Sequence, residues 1–143
     1  GFDESIMGIA PEVAERYYIE PNKAHPPENV PGVMKAREIC SQFRDEELGI
    51  LYLGAWVDMM VLVEAITQGL EEVGYDNLTG EVVNDTIHNL SGFDTGGIIP
   101  TVNVNPDYPV ISNHVKFAII EGGKISSISD WVKCPDITGW LYK

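Results

Sequence analysis

The chain has 143 residues, of which 44% are apolar and 22% charged, a size and mixture that suit one globular domain with a real core. Lys and Arg number 9 against 22 Asp and Glu, a formal charge of -13. So acidic a surface repels phosphate backbones and anionic headgroups, which argues against nucleic acid or a membrane surface as partner.

Residues 3–14 are mildly amphipathic and interrupted by Pro11, which predicts a short helix and a further helical turn. Arg16 to Ile19 is aromatic and β-branched and predicts a strand. Glu20 to Gly32 holds Pro21, Pro26, Pro27 and Pro31, the composition of an extended surface connector. Val33 to Arg44 spaces its apolar residues as an amphipathic helix does. Ile50 to Val73 is the strongest element: Leu51, Ala55, Met59, Leu62, Ile66, Leu70 and Val73 share one helical stripe, with Trp56, Met60 and Val63 beside it. Asp58 and Glu64 within that run argue against a membrane span, and Gly74 is a natural stop. Thr79 is suited to cap a third helix running to about Leu90. The pattern then changes to strands, over Thr101 to Asn105, His114 to Glu121 and Lys124 to Ile128, with Gly122-Gly123 as the hairpin turn. A chain that changes character at both ends is suited to contributing pieces to two different bodies.

Little in this sequence is catalytic. His25, His88 and His114 lie far apart without a second ligand at helical or turn spacing, so no metal is expected. No nucleophile elbow, phosphate loop or dinucleotide fingerprint occurs, and no cofactor is expected. Cys40 and Cys134 read as separate small buried residues rather than a bridge. Asp94-Thr95-Gly96 matches the D-T-G triplet of aspartic proteases, which would need a homodimer to supply its second carboxylate; the other reading is a turn, with Asp94 bonding local backbone. Among the aromatics, Tyr17 and Tyr18 precede the Pro-rich connector, and Trp56 lies near the start of the long helix. Such side chains at a boundary between lobes sandwich apolar or planar ligands. Trp56 reads equally well as core, and one of the two adjacent tyrosines should face inward.

Several blocks resemble, in order, the type I periplasmic binding proteins of the Leu/Ile/Val-receptor class. Ile9 to Tyr18 resembles that family's "AG-x-A-x-E-G" turn into a crossing strand, with Glu15-Arg16 in place of Glu-Gly. Trp56-Val57-Asp58 to Ala65 resembles its "Y-D-A-V-x-L-L-A-E-A" helix, with Trp56-Val57-Asp58 where the family has Tyr-Asp-Ala. Phe93-Asp94-Thr95-Gly96-Gly97 resembles its "F-D-T-x-x-G" segment, which accounts for the triplet without catalysis. His114 to Trp131 resembles the closing hairpin ending in Ser129-Asp130-Trp131.

The resemblance implies an α/β chain forming the C-terminal part of a type I periplasmic-binding-protein fold, two lobes joined by crossing strands. Residues 1–20 would belong to the C-terminal lobe, 21–100 to a hinge-flanked helical segment of the N-terminal lobe, and 101–143 to C-terminal-lobe strands and a tail. It implies a non-enzymatic, extracytoplasmic solute receptor of an ABC importer, periplasmic or membrane-tethered. Such a receptor takes an amino acid or small aromatic acid in the interlobe cleft and delivers it to a permease. Trp56 would face that cleft from one lobe and Phe2, Tyr17 and Tyr18 from the other. The alternatives are a ligand-sensing domain of the same fold and, further off, the dimeric peptidase. Since the opening residues from Gly1 read like the middle of a helix-forming segment, the chain is expected to be a piece of something longer. Its bare apolar faces are then expected to drive self-association, a homodimer burying Ile50 to Val73.

Overall fold

A computed structural model describes residues 4–104 and 110–135; Phe2 and the tail with Trp140 lie outside the described residues. The first helical stretch is split into α1 (Ser5–Ile9) and α2 (Pro11–Ala14). Pro11 opens the second piece, where a missing N–H costs nothing. The strand expected from Arg16 begins only at Tyr18, as β1 (Tyr18–Ile19), because Arg16 itself takes a left-handed φ of 62°. Pro31 opens α3 (Pro31–Phe43) as Pro11 opens α2. The long helix α4 (Ile50–Val73) ends at Gly74, whose φ is 75°. A 3-10 turn, Tyr75–Asn77, leads to α5 (Gly80–His88). There Thr79 Oγ1 accepts a hydrogen bond from Val82 N at 3.3 Å, the expected cap.

The strands are short: β2 (Ser91–Phe93), β3 (Val102–Asn103), β4 (His114–Val115), β5 (Ala118–Glu121), β6 (Lys124–Ser127) and β7 (Val132–Lys133). They form three antiparallel groups, β1-β5-β6, β2-β3 and β4-β7. β5 and β6 are joined through Gly122 and Gly123 at φ of 57° and 70°, the left-handed pair that a two-residue hairpin demands. β1 pairs with β5, Tyr18 opposite Ile119 and Ile19 opposite Ala118. The start of the chain is therefore stitched to a strand almost a hundred residues further on.

Two separate cores follow from this threading. One gathers Val33, Ala36 and Cys40 from α3, Leu53, Val57 and Val61 from α4, and Leu90, Ile98 and Val102 beyond α5. The other holds Ala14, Ile19, Ala118, Ile120 and Ile125, with Met7 against it. Cys40 is buried in the first and Cys134 is half-buried; both are free thiols.

The inward face of α4 differs from the expected stripe. Leu53, Val57, Val61, Ala65 and Gly69 are buried, while Leu51 is 74% exposed and Met59 54%. The helix is apolar almost all round, so its periodicity fixes no unique phase. What fixes it is close approach: a Cβ at Gly69 would sit 3.1 Å from Leu78 Cδ1 and 3.3 Å from Val82 Cγ1. The small residues mark the side on which α5 lies. α4 is also long and apolar enough, by length and composition, to cross a membrane. That test measures apolar content and is blind to the i, i+4 row that α4 puts into the first core.

Candidate functional site

The segments that run between the two cores converge. The connector between β1 and α3 meets the loop after β2 through Ala24 N, which donates to Ile98 O at 2.6 Å, and Gly32 N, which donates to Gly96 O at 2.8 Å. A Cβ at Gly32 would collide with Thr95 O and Ile98, and one at Gly96 with the Gly32 backbone; these two positions require glycine for close approach. Lys116 N donates to Pro21 O at 2.8 Å, which brings the link between β4 and β5 onto the same connector.

Within this junction the D-T-G triplet is a turn. Asp94 is exposed, and its Oδ1 accepts from Gly96 N at 2.8 Å. Thr95 is fully buried. Its hydroxyl donates to Ile99 O at 3.0 Å and accepts from Ile99 N at 3.1 Å. Gly96 and Gly97 hold φ of 69° and 81°. Asp94 is thus a turn-forming carboxylate, which leaves the peptidase reading without support.

A second cluster lies beside it. Lys116 Nζ donates to Glu28 Oε2 at 2.6 Å across 88 residues of sequence, and the same ammonium stands 4.7 Å from the Trp131 ring centroid, within cation–π range. Glu28 Oε1 accepts from His25 N at 2.8 Å and from Ser127 Oγ at 3.4 Å. Burial pushes the Glu28 carboxyl up, but the Lys116 hydrogen bond, the His25 N–H and the nearby positive charges outweigh it and leave it below the usual carboxylate range. The His25 ring is 1% exposed, and neither Nδ1 nor Nε2 has a hydrogen-bond partner among the described residues. Burial holds His25 below the usual imidazole range, against an upward pull from Glu28. Among the described residues no group of three His, Cys, Asp or Glu converges to hold a metal ion.

The residues predicted from sequence are placed differently from one another. Trp56 is half-buried at the edge of the first core and stacks on Tyr52, centroids 6.3 Å apart and planes 20° off parallel. Tyr17 and Tyr18 are 56% and 63% exposed, so neither faces inward as one of them was expected to. Ile19 is the residue that β1 turns into the second core, and no ring contact joins Trp56 to either tyrosine. Phe2 lies outside the described residues. The groove between α4 and α5, lined by Gln68, Glu72, Val82, Asp85 and Thr86 among others, contains none of Trp56, Tyr17 and Tyr18. Sequence reasoning missed the His25–Glu28–Lys116 cluster. Its one local signal is the acid three residues after His25, the spacing at which a side chain reaches back to a backbone N–H. It also missed a contact between the cores at α4. Ile50 N donates to Glu4 Oε1 at 2.8 Å, so a carboxylate from the segment before α1 caps the helix where its dipole favours an anion.

Paired chain ends, a separate helical middle and converging crossing segments define a class: the chain has the type I periplasmic-binding-protein fold, over its C-terminal part. Comparison with solved structures bears directly on this. The chain is similar to a branched-chain amino acid ABC transporter protein from Thermus thermophilus with bound valine, at a TM-score of 0.85 and 16% identity over 99% of this chain and 40% of that one. It is similar to an ABC transporter substrate binding protein from Aeropyrum pernix, at 0.74 and 20% over 95% and 36%. A leucine binding protein from Thermotoga maritima follows at 0.66 and 20% over 91% and 34%. The chain thus spans well under half the length of the proteins it resembles. No protein-family model matches the sequence, and no curated protein does.

Proposed function

We propose that this chain is the C-terminal part of an extracytoplasmic solute receptor of an ABC importer, which captures an amino acid or similar small organic solute between two lobes and passes it to a permease. The observation that carries this reading is the threading: β1 pairs with β5 while α3, α4 and the segment after α5 build a core of their own. On this reading the second core belongs to the C-terminal lobe, the first to the N-terminal lobe, and the crossing segments are the hinge. The work is capture and release by closure around a ligand that touches both lobes, with no bond made or broken. The receptor acts in the periplasm or tethered outside the cell.

The exposed Tyr17 and Tyr18 and the half-buried Trp56 are the aromatic surfaces offered to the cleft, with Phe2 as a further candidate. The chain supplies a minority of the site, since the rest of such a receptor lies outside it. Because the Thermus protein holds valine, branched-chain amino acids head the panel to be tried. Calorimetric titration of the intact receptor with the standard amino acids and small aromatic acids should find one that binds. Trp56→Ala should weaken that binding by about tenfold, the worth of one aromatic contact. Unchanged affinity would remove Trp56 from the site, and silence across the whole panel would remove the solute class. A chain isolated from its other half leaves the outer stripe of α4 bare and should self-associate; light scattering would read this directly.

A further inference from the structure

We propose that His25, Glu28 and Lys116 form an acid-sensitive latch on the junction between the two cores: a proton on His25 sets the ring in competition with Lys116 for Glu28 and loosens the side-chain tie between the connector and the link from β4 to β5. The inference concerns the junction alone and does not depend on which solute is captured.

The geometry sets two cations in competition for one carboxylate. While the His25 ring is neutral, its nitrogens have no partner among the described residues, and Glu28 accepts at Oε2 from Lys116 and at Oε1 from the backbone N–H of His25 and from Ser127 Oγ. A protonated ring has two N–H donors and a charge, and it is shut away from water. The anion whose charge favours a proton on the ring is Glu28; its backbone N donates to His25 O at 2.9 Å and its Oε1 accepts from His25 N at 2.8 Å, which holds its carboxylate in the same turn as the ring. The other charged groups facing His25 are cations. Lys116 and Lys23 both oppose its proton, and Arg37 of α3 is anchored on the neighbouring Pro26 O. The protonated ring then competes with Lys116 for the Glu28 carboxylate. The Lys116 ammonium is then held less firmly and stays against the Trp131 ring, so the side-chain tie between connector and strand link weakens while the backbone bond from Lys116 N to Pro21 O remains. Trp131 therefore reports on the latch, because it touches that cation.

The test is an NMR titration of the full chain from pH 8 to pH 4, following the His25 ring carbon, the Lys116 side chain and the Trp131 indole N–H. The latch predicts that Lys116 and Trp131 shift in the same step as His25 protonates. In His25→Phe, which fills the site with an apolar ring of similar size, that step vanishes and only a lower one, from Glu28 itself, remains. In Glu28→Gln the His25 step persists without any Trp131 response. A Trp131 shift at the wild-type midpoint in His25→Phe overturns the proposal. So does a His25 protonation that leaves Lys116 and Trp131 unmoved. Should either variant fail to fold, the coincidence of the three titrations in the unmodified chain still decides.

Discussion

Thr95 has no exposed surface, and its hydroxyl serves both the carbonyl and the N–H of Ile99. Thr95→Val keeps the shape and deletes both bonds, which orphans two buried backbone groups. We expect a loss of about 2 kcal/mol, the cost of unsatisfied buried polar groups, read by urea unfolding. Arg16 shows how a departure from a motif keeps its geometry: it stands where the resembled family has glycine and still takes a φ of 62°. The turn survives because Arg16 N donates to Ile120 O at 2.7 Å and the neighbouring Glu15 carboxylate accepts from Gly122 N at 3.0 Å. His25 is the opposite case. Its type and its Pro-rich setting suggest an exposed connector, yet it is buried, and the partner of its neighbour Glu28 lies 88 residues away. Nothing within a short window of sequence records such a contact.

α4 buries Leu53, Val57 and Val61 and leaves Leu51, Met59 and Val63 exposed. Its ends were legible, since the apolar run begins after Gly49 and stops at Gly74, and the cap of α5 at Thr79 was legible for the same kind of reason. Its rotation was not, because an all-round apolar helix is turned by what packs on it, here α5 against Gly69 and α3 against the Leu53–Val57–Val61 row. Two truncations separate the faces. Leu53→Ala should cost about 3 kcal/mol in the isolated chain, whereas Leu51→Ala, at dilutions where that chain is monomeric, should change stability by less than about 0.5 kcal/mol. On the proposed function the rest of the receptor covers that stripe, and Leu51→Ala in the intact receptor should then cost about 2 kcal/mol. Thermal or urea unfolding of both forms checks the contrast. Equal, small effects of Leu51→Ala in both would mean that nothing lies on that stripe.

For the molecule as a whole, the buried His25 gives stability a pH dependence whose sign is fixed. The unfolded chain binds the histidine proton below about pH 6.5, while the folded chain, holding the ring below that range, does not. Unfolding therefore takes up a proton in acid, and stability falls as pH drops through that window by up to about 1.4 kcal/mol per pH unit. Glu28, held below its ordinary range, adds a further loss below about pH 4.3. Melting curves of the chain against His25→Phe should diverge in the first window and run parallel in the second.

The same long-range threading that hid the His25 cluster left a trace in composition: strand texture at both ends and helices between. It could be read because local propensity and the global path agree there. The most direct measurement of the account is small-angle scattering of the intact receptor with and without a saturating amino acid from the binding panel. Two lobes hinged at the crossing segments predict a smaller radius of gyration with the solute bound. A solute that binds tightly while the scattering curve stays unchanged would contradict closure, and with it the role proposed for this chain.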